Sequence, residues 1–327
     1  MKAVLRRGYG GPEVLRLEEV PAPTPGPREV LVRVRAASVN AMDAHMLLGR
    51  PAVSRLFTGL ARPKDARVGV DLAGEVVAVG TEVTRFTAGD AVFGVARGAF
   101  AEVACAAENK LARKPAALSF EQAASLPVAG STALQGLRDA GDLQPGQRVL
   151  VIGAGGGVGG FAVQIAAALG AEVTAVTRAE HVERVRGQGA GRVIDRAEED
   201  FTAAESRYDC IFDLGGTRPF RRLQAVLTPD GCVLAAGIGG LGKPTLGAMT
   251  AWGGRVVAGL VRSRLGRRKL RFFMASVRPA DLEALAARVE AGTVRPSITA
   301  RYPLAEAADA MRALLDGRTG GKILVLP

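Results

Sequence analysis

Hydrophobic and polar residues alternate in short runs over the first third of the chain. Residues 29–34 read Glu-Val-Leu-Val-Arg-Val and residues 74–80 read Gly-Glu-Val-Val-Ala-Val-Gly, and glycine and proline turns separate such runs. Alternation with a period of two is typical of β-strands with one buried face. The pattern therefore predicts an all-β region over residues 1–118.

From residue 119 onward, hydrophobic strands alternate with helical stretches. Ser119 and Gln122 form a capping-box pattern that predicts the start of a helix. Strands are predicted near 149–153, 172–176, 192–194, 209–213 and 231–236. A helix is predicted over 279–291, followed by strands at 297–301 and 322–326. This alternation predicts an α/β fold with a parallel, doubly wound sheet.

Residues 149–160 read Val-Leu-Val-Ile-Gly-Ala-Gly-Gly-Gly-Val-Gly-Gly, a buried strand that runs into a glycine turn and a helix. Glycines allow backbone N–H groups to approach a pyrophosphate, and the N-terminus of the following helix favours its negative charge. The segment therefore predicts a dinucleotide-binding turn. Two registers fit the G-x-G-x-x-G pattern: one begins at Gly155, and the other uses Ala154, Gly156 and Gly159.

The end of the next strand selects between the two nicotinamide cofactors. A carboxylate there favours NAD, and a cation favours the additional phosphate of NADP. The chain has Thr177 and Arg178 at this place, with Glu180 two residues later. We therefore predict NADPH. NAD(H) stays open as the less favoured cofactor, because Glu180 could fold back onto the ribose.

Length and composition fit a two-domain enzyme of the cytoplasm. The 327 residues exceed what one hydrophobic core usually serves, and 48% of them are hydrophobic. No apolar run has the length of a membrane span, and the amino terminus lacks the apolar core of a signal peptide. Cys105, Cys210 and Cys232 form no Cys-x-x-Cys pair, so we expect neither a disulfide framework nor a zinc cluster.

The net charge of +11 is concentrated between residues 255 and 278, a segment with eight Lys or Arg residues and no acidic one. Such a segment could dock nucleic acid, an anionic membrane or an acidic carrier protein. The alternative is a solvated, arginine-rich loop and helix. We favour this interpretation because charge runs are usually solvated. Its few aromatic residues argue against nucleic acid as a partner.

Motifs along the whole chain resemble those of the medium-chain dehydrogenase/reductase superfamily, in particular its zinc-free quinone and enone reductases. They are 9–15 (Tyr-Gly-Gly-Pro-Glu-Val-Leu), 37–40 (Ala-Ser-Val-Asn) with Asp43, 69–74 (Gly-Val-Asp-Leu-Ala-Gly), 86–93 (Phe-x-x-Gly-Asp-x-Val-Phe), 129–133 (Ala-Gly-Ser-Thr-Ala) and the glycine turn. The resemblance implies a GroES-like β catalytic domain over 1–118 and 294–327, and a Rossmann domain for NADP(H) over 119–293. It also favours the register with Ala154, Gly156 and Gly159.

The zinc-dependent relatives carry a cysteine where this chain has Asn40, and a His-Glu pair where it has Val70 and Asp71. A catalytic zinc needs about three protein ligands, which the resemblance does not find here. Without a Lewis acid, oxidation of a simple alcohol is not expected. In a quinone or an enone, hydride adds to a carbon while charge spreads to the carbonyl oxygen, so hydrogen-bond donors suffice. No metal is therefore predicted.

Asn40, Asp43 and His45 are the candidate catalytic residues. The resemblance places their turn beside the nicotinamide, with the Asn40 amide directed at substrate or cofactor and Asp43 holding the turn. Asn40 with Asp43 three residues later also fits a plain helix cap. His45 could give a hydrogen bond or a proton to the developing enolate, although a lone histidine is commonly structural.

The remaining candidate residues contact the cofactor. Thr132 matches a family threonine near the nicotinamide, and the other candidates lie in the glycine turn and at the carboxyl ends of strands. They are Ala154, Gly156, Gly157, Val158, Gly159, Thr177, Arg178, Leu214, Gly215, Gly237 and Ile238.

The sequence thus predicts an NADPH-dependent reductase of quinones or enones, and the resemblance implies a homodimer. Two alternatives stay open. One is an enoyl reductase that acts on thioesters of a carrier protein or coenzyme A, which the basic segment would suit. The other is a non-catalytic protein that binds NADPH together with RNA or a protein partner.

Overall fold

The computed structural model describes residues 1–50, 52, 55–203, 207–216, 218–236, 267–317 and 319–327. The strands are β1 (Lys2–Arg6), β2 (Leu15–Glu19), β3 (Glu29–Val39), β4 (Asp71–Val79), β5 (Ala91–Val95), β6 (Val103–Ala107), β7 (Leu111–Arg113), β8 (Arg148–Ile152), β9 (Glu172–Thr177), β10 (Arg192–Asp195), β11 (Tyr208–Asp213), β12 (Leu227–Ala236), β13 (Lys269–Phe273), β14 (Ile298–Pro303) and β15 (Lys322–Leu326). The helices are α1 (Ala41–Leu48), α2 (Arg55–Thr58), α3 (Phe120–Ala124), α4 (Pro127–Gln135), α5 (Gly157–Ala168), α6 (Val182–Arg186), α7 (Phe220–Ala225), α8 (Pro279–Glu290) and α9 (Ala307–Asp316).

The chain packs as two compact units. The first comprises Met1–Ser131, Ser276–Gly292 and Pro296–Pro327, and the second comprises Thr132–Ala275 and Thr293–Arg295. The first unit includes α3, which packs on β3 and β4, and α8, which packs on β7. These units differ from the limits predicted from the sequence, which placed both helices in the second domain. As domain limits, 1–118 with 294–327 and 119–293 stay a prediction.

The first unit is built on a seven-stranded sheet. Its strand order is β14-β15-β3-β4-β5-β7, and β6 also pairs with β3. Along β3 the buried Val30, Val32 and Val34 alternate with the exposed Arg33 and Arg35, which confirms the predicted period of two. The central strand β3 therefore has β4 on one side and β15 on the other, so residues from all three strands meet at its carboxyl end.

The second unit is a parallel, doubly wound sheet, as predicted. Its six strands lie in the order β10-β9-β8-β11-β12-β13, and every pair is parallel. The order reverses at β8, which has β9 on one side and β11 on the other. Ligands of such sheets bind at the carboxyl ends of the strands where the order reverses. The predicted glycine turn follows β8 and therefore lies at that point.

Candidate active site

The glycine turn links β8 to α5 through backbone contacts. The N–H groups of Gly153 and Ala154 both donate to the carbonyl oxygen of Val176 in β9, at 3.0 and 3.1 Å. The N–H of Gly156, the N-cap of α5, donates to Gly153 O at 3.1 Å. The helix is buried from Gly159 to Ala166, a stretch that is apolar except for Gln164. The turn is thus fixed at the position where a helix N-terminus favours an anion.

Steric contacts distinguish the glycines of this turn. A Cβ atom on Gly159 would lie 2.2 Å from Gly153 O and 2.7 Å from Ala154 Cα, so the backbone would have to move. Among the described residues, a Cβ on Gly156 would have one neighbour within 4 Å, Gly153 O at 3.5 Å. A Cβ on Gly155 would meet the side chains of Thr177 and His181 at 2.5 Å. The space beside Gly156 is therefore open, whereas Gly159 is required for close packing of helix on strand, as in the register favoured above.

The end of β9 lies close to this turn. Thr177 is buried, and the Arg178 Nη1 lies 3.6 Å from the Glu180 Oε1, so the two residues that argue for opposite cofactors pair with each other. The guanidinium of Arg184 donates to Gly155 O at 2.8 Å. Burial lowers the pKa of Arg184. Arg184 brings a second cation to the turn, and nothing in its sequence neighbourhood singled it out.

Leu214 and Gly215 follow β11 and reach the same edge of the sheet. The Leu214 N–H donates to Ile152 O at 3.1 Å, which joins this loop to the end of β8. The buried Asp213 carboxylate accepts from the N–H of Gly215 at 3.1 Å. Burial raises the pKa of Asp213.

The remaining cofactor candidates are Thr132, Gly237 and Ile238. Thr132 is half-buried on α4. Gly237 and Ile238 lie outside the described residues, as does 255–266 of the basic segment. The described part of that segment is held by hydrogen bonds: Arg267 binds Asp230 through two nitrogens, and Arg271 donates to Ala140 O. These contacts agree with a structural role for Arg267 and Arg271, whose side chains hold the segment against other parts of the chain.

In the first unit, Asn40 and Asp43 open helix α1. The Asn40 N–H donates to the Asp43 Oδ2 at 2.8 Å in a capping box. The Asn40 side-chain nitrogen donates to Asp71 Oδ2 at 2.9 Å and to Ser38 O at 3.3 Å. His45 is half-buried on the same helix, and its carbonyl accepts from the Arg50 N–H at 2.9 Å. The cap is therefore formed, and the Asn40 amide also belongs to a buried polar network.

The centre of that network is the carboxylate of Asp71, at the start of β4. It accepts from the Ser38 hydroxyl at 2.9 Å and from the Val128 N–H at the start of α4 at 3.1 Å. The Lys322 ammonium, at the start of β15, lies 3.7 Å from the Asp71 Oδ2 and donates to the Asn40 Oδ1 at 2.7 Å. The side chains of Asp71 and Lys322 are 0% and 3% exposed. Lys322 thus fixes the orientation of the Asn40 amide.

Burial controls the protonation of these groups. It raises the pKa of Asp43 to about 7; the Asp71 charge adds to the rise, whereas the Asn40 N–H and Lys322 oppose it. Burial also raises the pKa of Asp71, opposed by the Lys322 ammonium and the hydrogen bonds from Asn40 and Ser38. It lowers the pKa of Lys322, opposed by both carboxylates.

The raised pKa of Asp43 predicts a pH-dependent stability. Between about pH 4, the unfolded pKa, and about pH 7, the Asp43 carboxyl group binds more protons in the folded protein than in the unfolded chain. The contribution of Asp43 to the free energy of unfolding therefore falls as pH rises through this window, by at most about 1.4 kcal/mol per pH unit. Asp43→Asn should remove this fall in urea titrations, and the exposed Glu19→Gln should keep it. An unchanged slope in Asp43→Asn would contradict the assignment.

Within the described part of the chain, no three His, Cys, Asp or Glu side chains are grouped so as to hold a metal ion. In the same ranges, no helix combines the length and hydrophobicity needed to cross a bilayer.

Fold and site together define an α/β protein with a dinucleotide-binding turn, and comparisons agree. Residues 26–116 match the model of the alcohol dehydrogenase GroES-like domain, and residues 188–325 match that of the zinc-binding dehydrogenases. The chain is 33% identical to a quinone oxidoreductase of Pseudomonas aeruginosa, over 100% of this chain and 99% of that protein. It is 32% identical to the chloroplast envelope quinone oxidoreductase homolog of Arabidopsis thaliana, over 100% and 98%.

Further similarities are to proteins named for NADPH or for the enone reaction. The chain is 30% identical to the NADPH-dependent alkenal/one oxidoreductase of Arabidopsis thaliana, over 100% of this chain and 80% of that protein. Quinone oxidoreductase structures from Coxiella burnetii and, with NADPH, from Escherichia coli superpose with TM-scores of 0.86 and 0.82 at 30% and 26% identity. Each alignment covers 100% of this chain, and 99% and 100% of the other. The chain belongs to the medium-chain dehydrogenase/reductase superfamily, in its zinc-free quinone oxidoreductase branch.

Proposed function

We propose that the protein is an NADPH-dependent reductase of quinones or of activated carbon–carbon double bonds. The observation that carries this proposal is the glycine turn at the point where the strand order reverses, where Gly156 leaves open space beside a helix N-terminus. A pyrophosphate fits such a site because the backbone N–H groups and the helix dipole favour negative charge. The names of the relatives supply the reaction class.

The residues that would hold the cofactor are those of the turn and of the adjacent strand ends. Ala154, Gly156 and Gly159 would form the pyrophosphate contact, and Leu214 and Gly215 would add backbone groups beside β8. Arg178 would bind the additional phosphate of NADPH, with Arg184 as a second cation near Gly155. NADPH, when bound, supplies a hydride. The names of the relatives support NADPH over NADH, as does the cation at residue 178.

The chemistry at the acceptor is assigned to α1 and its cap. Hydride addition to an enone places negative charge on the carbonyl oxygen, which a hydrogen-bond donor stabilises. Among the candidates, the His45 imidazole can donate a hydrogen bond to this oxygen. Asn40 is held rigid by Lys322, Asp71 and Ser38, and Asp43 closes the helix cap. A zinc-independent reaction agrees with Asn40 and Val70 at positions where zinc-dependent relatives have ligands.

Cytoplasm and homodimer remain part of the proposal. The three cysteines are free thiols, which is typical of a reducing compartment. A homodimer is what the resemblance to the superfamily implies.

A substrate panel tests the proposed function. Quinones, enones, crotonyl-coenzyme A and ethanol are each assayed with NADPH or NADP⁺ and with NADH or NAD⁺. We expect turnover of a quinone or an enone with kcat/KM at least about tenfold higher for NADPH than for NADH, equivalent to about 1.4 kcal/mol. Arg178→Gln should reduce that preference while the Tm stays unchanged. Equal use of NADH would contradict the role of Arg178, and NADPH binding without any turnover would favour the non-catalytic alternative.

A further inference from the structure

The first unit contains a cavity of about 340 Å³ beside helix α1. This volume lies in the range of small-molecule sites, about 300–1,000 Å³. One part of the wall is apolar and is formed by Met46 and Leu47 of α1 together with Val68 and Val70. Asp43 lines the same cavity, so the helix that carries the candidate catalytic residues forms one of its sides.

Positive charge dominates the polar part of the wall. Four cationic side chains line the cavity against two carboxyl groups, Asp43 and Asp65. The cations are Arg6, Lys64, Arg67 and Arg97. The Asp65 carboxylate forms an ion pair with Arg67, which donates to it through Nε at 2.9 Å and through Nη2 at 2.8 Å. Even with both carboxylates ionised, two positive charges face the cavity without an acidic counterpart in its wall.

Arg6 is the buried member of this set. It is 3% exposed, and its guanidinium donates to two carbonyl oxygens, those of Met46 and, at 3.5 Å, of Asp65. Its Nε has no hydrogen-bond partner among the described residues. Burial lowers the pKa of Arg6, and the nearby Tyr9, Asp65 and Asp43 offset this shift only in part. An anion in the cavity would compensate this charge.

We propose that this cavity binds a small molecule that combines an apolar body with an anionic group such as a carboxylate. The apolar side of the wall takes the body, and Arg6, Lys64 and Arg97 take the anion. Where the ligand is the reducible substrate, the inference rests on the proposed function and specifies its substrate as a carboxylate-bearing quinone or enone. Binding itself does not depend on turnover.

Calorimetric titration with two probes of equal shape tests the binding. Naphthalene-2-carboxylate and naphthalene-2-carboxamide have nearly the same shape, but only the first carries a negative charge. We expect the carboxylate to bind at least about tenfold more tightly at low salt, because the cations of the wall form charge-assisted hydrogen bonds with it alone. The double variant Lys64→Gln/Arg97→Gln should lose that preference, because both side chains are exposed on the wall and their removal spares the fold. Arg33→Gln, which removes one positive charge from an exposed position of β3, should keep it.

The same comparison is made in turnover with 3-benzoylacrylate and its methyl ester. We expect kcat/KM to be about tenfold higher for the acid, with this ratio lost in Lys64→Gln/Arg97→Gln and kept in Arg33→Gln. Equal binding of both probes, binding of neither, or an equal loss in Arg33→Gln would overturn the inference. Reduction of the ester without preference for the acid overturns the inference and leaves the proposed function intact. Selective binding of the carboxylate without any turnover supports the inferred binding site and contradicts the proposed function.

Discussion

Replacing Gly159 by alanine should weaken NADPH binding by at least about a hundredfold, equivalent to about 2.7 kcal/mol. The new methyl group would lie 2.2 Å from Gly153 O and 2.7 Å from Ala154 Cα. Both contacts are to backbone, so the turn itself must shift, and its N–H groups then no longer converge on the pyrophosphate. Overpacking of this kind also costs stability, by about 1–3 kcal/mol. Quenching of protein fluorescence by NADPH measures the affinity.

Gly156→Ala separates binding from folding. In the part of the chain that the structure describes, its methyl group would have one neighbour, Gly153 O at 3.5 Å, and its φ of −82° suits alanine. The fold should therefore be unaffected, whereas the methyl group occupies the space assigned to the pyrophosphate and lowers affinity by at least about tenfold, or 1.4 kcal/mol. Gly187→Ala is the control, because its Cβ makes ordinary contacts at 3.6 Å. Unchanged NADPH affinity in both Gly156→Ala and Gly159→Ala would contradict the assignment of the turn.

Replacing Lys322 by methionine should lower the free energy of unfolding by about 3–5 kcal/mol. Methionine keeps the apolar stem and removes the ammonium that lies 3.7 Å from Asp71 and donates to the Asn40 Oδ1. The Asp71 carboxylate, 0% exposed, then loses the cation that opposes its desolvation. The Asn40 amide also loses the contact that fixes its orientation. Urea unfolding measures the loss.

Two further variants show whether this loss comes from the buried ion pair. Lys2→Met changes an exposed lysine at the start of β1 and should alter stability by no more than about 0.5 kcal/mol. Lys322→Met combined with Asp71→Asn removes both charges and should be less destabilised than Lys322→Met alone. A loss in Lys322→Met no larger than that in Lys2→Met would show that the buried pair contributes little.

The second unit was the more predictable of the two, because its signals are local. Hydrophobic runs placed β8, β9 and β11 to within one residue, and their order placed the glycine turn at the edge where ligands bind. The apolar residues of α5 account for its burial, and the helix begins at Gly157, inside the glycine run. Glycine in the first turn of a helix is tolerated where packing requires it.

The buried network of the first unit was not predictable. Lys322 begins an apolar strand, and a lysine at such a place is usually solvated. Its burial follows from antiparallel pairing of β15 with β3, which places it beside Asn40 across 282 positions of sequence. Asp71 was noted only as a substitute for a zinc ligand, yet it is the acceptor that joins Ser38, Asn40 and Lys322. Long-range strand pairing, which no local sequence pattern encodes, places Lys322 in the buried network and makes Asp71 its central acceptor.

Reduction of methyl 3-benzoylacrylate with NADPH that carries deuterium at the transferred position of the nicotinamide tests the central claim most directly. Hydride transfer to the carbon–carbon double bond places one deuterium on one carbon and one solvent proton on its neighbour, while NADPH becomes NADP⁺. We expect mass spectrometry and NMR to find a saturated ketone with one deuterium on the carbon β to the ketone carbonyl. Recovery of unreduced enone after prolonged incubation with NADPH-saturated protein, or a reduced product without deuterium, would contradict the claim.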